Sequence, residues 1–436
     1  MREIKVGLIG FGTVGSGLAE VLLQQAQRLR RKTGMSIRLH RVADTRLASL
    51  PDHFSQVELV RDAALVYGDP EIDIVVELIG GIEPAKTFIL KAIEHGKHVV
   101  TANKALISQH GMEIFAAAAE KNVEVGFEAS VGGGIPVIKA LKEGLVANRI
   151  LAIMGIMNGT ANYILNRMTD YGMAFDEVLR EAQAKGFAEA DPTYDVEGID
   201  TAHKLVILMT MAYGMKVRLA DVSIEGISRI EPIDIAFARE FGYRIKLLAI
   251  SKNHGDSVEA RVHPTMVPER HMLANISGAY NGIQFTGDMV DDILLYGQGA
   301  GKMATGSAVA ADVVDIARNI ACNSINRVPC LAYLPSEIRS RGITPMENLR
   351  GCYYFRMTVE DKPGVLATIA GILSTHRISI ESVIQKGREK KGTVPLVIRT
   401  HEAGEAAVRQ ALAEIDALDI CAAKTVKIRI MEEHAE

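Results

Sequence analysis

The sequence is poor in cysteine, in long apolar runs and in excess charge of either sign. Its four cysteines have no paired metal-ligand spacing, which argues against a disulfide framework and a zinc site. No apolar run approaches the roughly 18 residues of a membrane span, and the chain starts with a strand pattern instead of a signal peptide. A net charge of −4 with interspersed signs argues against nucleic acid or an anionic membrane as the main partner. We therefore expect a cytoplasmic protein whose partner is a small molecule.

A glycine-rich motif follows the first predicted strand. Residues 4–9 have the pattern of a buried strand, and an amphipathic helix is predicted to extend to about Arg31. Between them lies the sequence Gly10, Phe11, Gly12, Thr13, Val14, Gly15. The first glycine allows a tight turn, the second lets the backbone approach a pyrophosphate, and the third lets the helix pack on the strand. With a strand before it and a helix after it, the motif predicts dinucleotide binding.

The residues that follow the second predicted strand, residues 36–43, bear on whether NAD or NADP binds. It ends at Ala43 and is followed by Asp44 and Arg46. Asp44 can accept a hydrogen bond from a ribose 2′-hydroxyl, whereas Arg46 can pair with a 2′-phosphate. Arg46 is equally a solvated loop residue. Both NAD and NADP stay open, with a slight preference for NADP.

Two further segments follow predicted strands of the same sheet. Ligands bind at the carboxyl ends of strands in open α/β sheets, so Thr101 and Lys104 are candidates for contacting substrate or cofactor. Lys104 is otherwise an ordinary surface lysine. Three glycines at 132–134 precede a helix and predict a loop whose amides and carbonyls face an ion or a phosphate. The alternative is a plain hinge between domains.

The succession of strand and helix patterns predicts an α/β protein of several domains, as the length of 436 residues also suggests. After the first domain comes an α+β unit with a sheet of its own, and the chain ends in a βαββαβ pattern. The predicted boundaries are a Rossmann dinucleotide-binding domain at 1–130, to which a helix at about 300–325 returns, a substrate-binding domain at 131–325, a linker at 326–350 and a small domain at 351–436.

Acidic residues and two lysines are concentrated in residues 182–204. Asp200 lies four residues before Lys204 on a predicted helix, a spacing that commonly gives only a solvated salt bridge. When a carbonyl is reduced, however, an ammonium group can stabilise and protonate the oxygen on which charge develops. Burial would lower the pKa of Lys204 toward neutrality, whereas Asp200 would act in the opposite direction. The cluster alone leaves the acid/base assignment open.

Nearby groups suit a substrate that resembles an amino acid. Glu189 and Asp195 can pair with an α-ammonium group, while Gly159 and Thr160 offer amides and a hydroxyl for a carboxylate. Next to a dinucleotide site, this combination predicts hydride transfer to or from a polar carbon centre.

Several motifs resemble those of homoserine dehydrogenases. The signature consists of Ala182, Gly186, Phe187, Asp191, Pro192, Asp195, Val196, Gly198, Asp200 and Lys204. Also similar are GFGTVG at 10–15, TANK at 101–104, EASVGGGIP at 128–136, NGT at 158–160 and GQGAG at 297–301, so the resemblance covers residues 1 to about 325. The last unit, with DKPG at 361–364, resembles an ACT domain, a type that often binds an amino acid.

The resemblance implies NAD(P)-dependent interconversion of L-aspartate 4-semialdehyde and L-homoserine in threonine, methionine and isoleucine biosynthesis. It implies Lys204 as proton donor, Glu189 and Asp200 as substrate ligands within the catalytic set, and Lys104 as a contact of cofactor and substrate. The remaining roles that it implies are a monovalent cation site, expected to hold sodium, at Glu128, Val131, Gly133 and Ile135, and cofactor contacts at Phe11, Thr13, Val14, Gly186 and Gly301.

For the ACT-like unit we predict binding of a pathway amino acid, threonine, near Asp361 and Gly364. The glycine at the start of a helix leaves free amides that suit a carboxylate. ACT units commonly pair edge to edge, so a homodimer or homotetramer is expected.

Two rival functions are weighed against this one. An aspartate semialdehyde-type dehydrogenase shares the nucleotide fold but needs a cysteine nucleophile, and the first cysteine, Cys322, lies beyond the expected site. A non-catalytic, nucleotide-binding amino-acid sensor has no use for Lys204, Glu189 and Asp200 together. Both rivals are therefore disfavoured.

Overall fold

The chain folds into an N-terminal, a central and a C-terminal region, and the computed structural model describes residues 2–386 and 392–431. The N-terminal region contains β1 Glu3–Ile9, α1 Thr13–Gln24, α2 Ala26–Thr33, β2 Ser36–Ala43, β3 Glu58–Val60, α3 Ala64–Tyr67, β4 Ile74–Glu77, α4 Ala85–Glu94, β5 His98–Thr101, α5 Lys104–Glu120, β6 Val125–Gly126 and α6 Val137–Lys139. The central region contains β7 Ile150–Ile156, α7 Gly159–Tyr171, α8 Phe175–Ala184, α9 Thr193–Val196, α10 Ile199–Tyr213, β8 Met215–Lys216, β9 Ser223–Ile224, α11 Pro232–Glu240, β10 Tyr243–Lys252, β11 Ser257–Val258, β12 Arg261–Pro268, β13 Tyr280–Gly287, β14 Asp291–Gln298 and α12 Lys302–Cys322. The C-terminal region contains β15 Arg339–Ser340, β16 Gly342–Ile343, β17 Arg350–Glu360, α13 Val365–Thr375, β18 Ile380–Gln385, β19 Thr393–Thr400, β20 Ala403–Gly404, α14 Glu405–Asp416 and β21 Val426–Ile430.

The N-terminal region is built on a parallel sheet of six strands in the order β3-β2-β1-β4-β5-β6. This is the Rossmann order, so the predicted fold class is confirmed. All four residues of β4 are buried, because helices cover both faces of the sheet. The loops after β1, β2, β4 and β5 meet at the carboxyl edge of the sheet, which is where such folds bind their ligands.

Helix α12 packs against α1 through close backbone contacts. A Cβ atom on Gly17 would lie 2.1 Å from the carbonyl oxygen of Lys302, and one on Gly306 would lie 2.6 Å from the carbonyl carbon of Gly17. Only glycine permits this approach, which brings the start of α12 beside the first turns of α1. The expected helix up to Arg31 is in fact two helices that meet at Gln25, where the backbone leaves the helical conformation with φ of −98° and ψ of 4°. Every residue of α2 is at least partly exposed, and Leu29 packs its side chain against the core.

The central region is a sheet with helices α7, α10 and α11 packed on one face. Its antiparallel strands run in the order β14-β13-β7-β10-β12. Helix α10 is buried over almost its whole length, between this sheet and α5 of the N-terminal region. The two regions therefore meet along α5 and α10.

The sequence pattern predicts a strand over residues 258–262, but the strand lies further along the chain, as β12. Two prolines, Pro264 and Pro268, hide it in the sequence, because proline cannot donate a ladder hydrogen bond. On one side Pro264 lies opposite Leu247 of β10. On the other side β12 pairs with β9 at residues 261–262 and with β21 at residues 265–266, so Pro264 falls in the gap between the two partners.

The C-terminal region has the expected βαββαβ order, but its sheet is not separate. Strands β21-β17-β19-β18 continue the central sheet through a parallel pairing of β12 with β21, in which Thr265 lies opposite Arg429. Helices α13 and α14 cover the face that carries Tyr353, Phe355 and Met357. One eleven-stranded sheet thus includes both regions.

Two ion pairs join the C-terminal region to the central one. Asp234 on α11 accepts hydrogen bonds from Arg356 Nε at 2.6 Å and Nη2 at 3.0 Å, and from the Tyr354 hydroxyl at 3.0 Å. Arg429 on β21 donates to both carboxylate oxygens of the partly exposed Glu225, directly after β9, at 2.8 and 2.9 Å, and also pairs with Glu405. Asp234 and Arg356 are both buried, so removing either of them is expected to cost several kcal/mol.

Residues 326–350, which the sequence predicts as a linker, form an ordered strap over the central region. Strand β15 pairs with β8, and β16 pairs with β11. Arg341 also donates to Asn253 Oδ1 at 2.7 Å. These pairings join short segments far apart in the chain, so local periodicity does not reveal them.

All four cysteines are free thiols. In the portion of the chain that the structure describes, no helix has both the length and the apolar character needed to cross a bilayer.

Candidate active site

Two lysines meet on one buried carboxylate where α5 faces α10. Asp200 lies in the first turn of α10, with Lys204 Nζ 2.6 Å from Oδ2 and Lys104 Nζ 2.9 Å from Oδ1. Asp200 is 3% exposed and Lys204 is 7% exposed. The pair is therefore a buried ionic cluster and not the solvated salt bridge that its spacing commonly gives.

The pKa values of the two lysines are shifted in opposite directions. Burial would raise the pKa of the Asp200 carboxyl, but Lys204 and Lys104 together hold that pKa well below its usual range. Burial lowers the pKa of Lys204, and the positive charge of Lys104 acts in the same direction, against the pull of Asp200. For Lys104, Asp200 outweighs the effect of burial and raises the pKa. Lys104 is thus the permanent cation, and Lys204 is the more acidic ammonium.

The end of β7 completes the cluster. Lys204 Nζ donates to the carbonyl oxygen of Met157 at 2.6 Å. Asn158 Nδ2 bridges two carboxylates, at 2.7 Å from Asp195 Oδ1 and 2.9 Å from Asp200 Oδ2, while its Oδ1 caps α7. In the described residues, two of the three N–H groups of Lys204 are engaged, which leaves one for a substrate oxygen.

The loop between α8 and α9 carries two other predicted site residues. Gly186 adopts a left-handed conformation with φ of 73°. Thr160 Oγ1 donates to the carbonyl oxygen of Phe187 at 2.6 Å, so this hydroxyl holds the loop. Glu189 is exposed, and within the described residues its carboxylate is hydrogen-bonded to neither Lys204 nor Asp200. The structure does not bring Glu189 into the cluster.

A buried lysine fixes the first turns of α7. Lys246 Nζ donates to the Oδ1 atoms of Asn162 and Asn166, at 3.1 and 3.0 Å, and to the carbonyl oxygen of Ile276 at 2.6 Å. Burial lowers the pKa of Lys246 to about 7. Gly159 lies against the same loop, where a Cβ atom would be 2.6 Å from the carbonyl oxygen of Ala279.

The glycine motif after β1 leaves room for a pyrophosphate. Gly10 has φ of 97°, and a Cβ atom on Gly15 would lie 2.1 Å from the Gly10 carbonyl oxygen. A Cβ atom on Gly12 would meet none of the described atoms within 4 Å. The open space therefore lies at the N-cap of α1, beside the first amides of that helix at Thr13 and Val14. These residues fit a dinucleotide.

Asp44 fastens the loop after β2. Its carboxylate accepts hydrogen bonds from the backbone amides of Phe11 at 2.8 Å, Arg46 at 2.8 Å and Leu47 at 3.0 Å. Burial opposes these bonds, but the pKa of Asp44 is still lowered. The side chain of Arg61 donates to the carbonyl oxygen of Thr45 at 2.8 Å. Sequence analysis did not identify Arg61, whose only signal is its positive charge after β3. Ala43 accepts the Gly10 amide at 2.8 Å, which joins the two loops.

Glu77 orients the loop that leads to Lys104, and sequence analysis missed it as well. Glu77 is fully buried at the end of β4 and accepts the Thr101 hydroxyl at 2.7 Å. Asn103 caps α5 through its own side chain and donates to the carbonyl oxygen of Gly81 at 2.5 Å. The signal that could have revealed Glu77 is a carboxylate at the end of a wholly apolar strand.

The two glycine loops of the sequence lie against each other. A Cβ atom on Gly133 would be 2.4 Å from the carbonyl oxygen of Gly299, and Gly301 begins α12 with φ of 130°. Glu128 caps α6, with its carboxylate oxygens 2.8 and 2.9 Å from the amides of Ile138 and Lys139. Because both carboxylate oxygens of Glu128 already accept these amides, we expect a cation to contact the carbonyl oxygen of Glu128 instead. Two other predicted cation ligands, Val131 and Ile135, are buried.

In the C-terminal region, Gly364 is the N-cap of α13 and has φ of 92°. Asp361 lies three residues earlier, and the backbone amide of Asp361 donates to the Gly392 carbonyl oxygen at 3.0 Å. The structure thus places both predicted effector residues at one helix start.

Comparisons with known proteins agree along the whole chain. Family models match residues 10–128 as the NAD binding domain of homoserine dehydrogenase, residues 136–314 as homoserine dehydrogenase and residues 353–419 as an ACT domain. A homoserine dehydrogenase of Pseudomonas aeruginosa is 47% identical over 431 residues, and one of Neisseria gonorrhoeae is 45% identical over 432 residues, each covering 99% of both chains. The crystal structure of a homoserine dehydrogenase from Thiobacillus denitrificans is 48% identical, with a TM-score of 0.92 over 99% of both chains.

Proposed function

The chain belongs to the homoserine dehydrogenase family, and from that membership we propose how its residues interconvert L-aspartate 4-semialdehyde and L-homoserine with a nicotinamide cofactor. The observation that carries the proposal is the buried cluster of Lys204, Asp200 and Lys104. The cofactor, when bound, supplies or accepts the hydride. Lys204 donates its remaining N–H to the carbonyl oxygen and then gives it a proton, and in the reverse direction its amine takes the proton back.

Asp200 and Asn158 prepare Lys204 for this role. Asp200 stays ionised, because two ammonium groups lower its pKa, and it holds Lys204 Nζ toward the end of β7. Burial makes Lys204 a stronger acid than an ordinary lysine. The site is thus organised before substrate arrives.

We further propose that the substrate lies between α7 and α10. Lys104 and the first turn of α7, at Gly159 and Thr160, face its carboxylate, while Asp195 faces its ammonium group. Asn158 engages only Oδ1 of Asp195, which supports this assignment. Glu189 is proposed as a second carboxylate for the ammonium group, on the loop that Thr160 holds. The KM for aspartate semialdehyde in Glu189→Gln and Asp195→Asn, with the helix-capping Asp191→Asn as control, tests these roles.

We propose NADP as the preferred cofactor. The Asp44 carboxylate already accepts three backbone amides, which weakens it as an acceptor for a 2′-hydroxyl. Arg46 and Arg61 flank the same loop and can pair with a 2′-phosphate. The other proposed cofactor contacts are Phe11, Thr13, Val14, Thr101, Gly301 and Gly186.

Replacing Arg46 and Arg61 together with alanine is expected to raise the KM for NADPH by about tenfold or more and to leave the KM for NADH almost unchanged, because each lost charge-assisted bond to phosphate costs about 1.5 kcal/mol. Initial rates with each cofactor measure this. Arg38→Ala, at the other end of β2, is the matched control. Equal losses with both cofactors would refute the preference.

We propose a sodium ion in the loop Glu128–Ile135, held by the carbonyl oxygens of Glu128, Val131, Gly133 and Ile135. The tight packing of this loop on Gly299 supports a fixed arrangement of carbonyls. The proposal fails if kcat is the same in sodium and in tetramethylammonium salts.

We propose that threonine binds at the start of α13, near Asp361 and Gly364, and that the chain forms a homodimer or homotetramer. The edge strand β18 is available for pairing with a second copy. The ion pairs Arg429–Glu225 and Arg356–Asp234 connect this region to the central region, just after β9 and at α11. A cytoplasmic location is also proposed, which the four free thiols suit.

Millimolar threonine is therefore expected to lower the initial rate severalfold, and to do so less in Gly364→Val, whose side chain would block the helix start. Rates with NADPH at fixed aspartate semialdehyde, together with light scattering for mass, check both proposals. Gly371→Val, in the same helix, is the control. Threonine that changes neither rate nor melting temperature would refute the effector assignment.

The thioester rival has little support in the structure. Cys322 ends α12, far along the chain from the cluster at Asp200, and burial raises the pKa of the Cys330 thiol, which makes it a poor nucleophile.

A further inference from the structure

A second link joins α5 to α10, one helical turn beyond the Lys104–Asp200 ion pair. Ser108 follows Lys104 by four residues, and His203 follows Asp200 by three. Ser108 Oγ is 2.5 Å from His203 Nδ1. Helices α5 and α10, one from each region, are therefore joined at two points of their interface, by one ion pair and one hydrogen bond.

The hydroxyl of Ser108 lies between two groups. Its Oγ is 3.1 Å from the carbonyl oxygen of Ala105 and 2.5 Å from His203 Nδ1, and the tautomer of the imidazole decides which atom donates in the second bond. His203 is 2% exposed, and burial lowers its pKa. The neutral imidazole can take part in this bond in either tautomer.

His203 also supports the short helix α9. The Tyr194 ring stacks on the imidazole, with ring centroids 5.6 Å apart and an angle of 23° between the planes. Tyr194 directly precedes Asp195, whose carboxylate is bridged to Asp200 by Asn158. His203 therefore touches α5 on one side and α9 on the other, while it lies on α10 itself.

The placement of α5 matters for the reaction. Because α5 belongs to the nucleotide-binding region and α10 to the substrate region, their spacing sets the position of Lys104 against Asp200. A displacement of about 1 Å in a reacting group can cost on the order of 100-fold in rate. The flexible Lys104 side chain cannot fix that spacing by itself, whereas a short bond between a half-buried serine and a buried histidine can.

We propose that His203 is a positioning residue for the dehydrogenase reaction: through Ser108 it holds Lys104 in register with Asp200, and through Tyr194 it holds the α9 carboxylate over the site. This inference rests on the proposed role of Lys104.

Ser108→Ala is expected to lower kcat/KM for aspartate semialdehyde by about tenfold. The matched control is Thr210→Val, near the same interface, which removes a hydroxyl that donates within α10 to the Val206 carbonyl. It is expected to leave kcat/KM within about twofold. Rescue by Ser108→Thr, which keeps the hydroxyl, is expected.

A double-mutant cycle separates positioning from general damage. In a Lys104→Ala background, Ser108→Ala is expected to cause no further loss, because there is no ammonium left to position. An equal loss in both backgrounds, or the same loss in Thr210→Val, would overturn the proposal. If Lys104→Ala itself keeps full activity, the proposed function of Lys104 fails instead.

Two substitutions of His203 provide an independent route if Ser108→Ala does not fold. His203→Asn keeps a hydrogen-bonding group at the position of Nδ1 and is expected to retain most of kcat/KM. His203→Leu keeps the shape but not the bond and is expected to lose about tenfold. Equal activity of the two variants would overturn the inference.

Discussion

Lys204→Ala is expected to lower kcat for the reduction of aspartate semialdehyde by on the order of 10³ while NADPH still binds. The ammonium is buried beside Asp200, and the other cation of the cluster, Lys104, has a raised pKa and gives up its proton less readily. Water cannot replace Lys204 efficiently, because Asp200 and the end of β7 enclose its position.

Steady-state rates measure the loss, and calorimetry measures NADPH binding. Lys91→Ala is the matched control, since Lys91 is an exposed lysine whose ion pair is with the neighbouring Glu94. A Lys204→Ala enzyme with near-normal kcat would exclude Lys204 as proton donor. Loss of NADPH binding would show that the substitution acts on the nucleotide site.

Lys246→Met is expected to lower the free energy of unfolding by about 3 kcal/mol, because it leaves two buried asparagine oxygens without their donor and removes the shorter of two hydrogen bonds to the Ile276 carbonyl. The apparent melting temperature should fall by roughly 6 to 12 °C. Since α7 begins at Gly159, the KM for aspartate semialdehyde should rise in the same variant.

The deficit of Lys246→Met should grow with pH. Burial lowers the pKa of Lys246 to about 7, whereas in the unfolded chain it is near the ordinary value of about 10.4. Between these values the unfolded state binds more protons, so the wild type gains stability as pH rises, by up to about 1.4 kcal/mol per pH unit. Arg244, which lowers this pKa, and Asp170, which raises it, are the charges nearest to the ammonium.

Melting temperatures at pH 7 and pH 9 test this dependence. Lys91→Met, at an exposed site, should match the wild type at both values. A deficit in Lys246→Met that is identical at pH 7 and pH 9 would show that Lys246 does not titrate in this range.

Local patterns predicted much of the site, because its chemistry is encoded in short spacings. The glycines of the motif after β1 and the four-residue spacing of Asp200 and Lys204 each lie within one or two turns of chain. The pairing of Lys104 with Asp200 could not be read from spacing, since it depends on how α5 packs against α10. The same holds for Arg61, which reaches the Asp44 loop from the end of another strand.

The fold shows the same division between local and long-range information. The βαββαβ order of the C-terminal region followed from the periodicity of each element. The pairing of β12 with β21 did not, because an edge of one sheet gives no local sign of the strand that will complete it. Pro264 concealed β12 further, although its missing N–H falls where β12 has no partner on that side.

The pairing of β12 with β21 has a mechanical consequence. A domain on a flexible tether can tilt freely, but strands of one sheet share a continuous twist, so the C-terminal region cannot rotate without deforming its neighbours. Two strands, β10 and β12, lie between β21 and β7, and β7 is followed at once by Met157, whose carbonyl oxygen accepts a hydrogen bond from Lys204. A change of twist at β21 would therefore pass through β12 and β10 to the end of β7, and so to the proposed proton donor, Lys204.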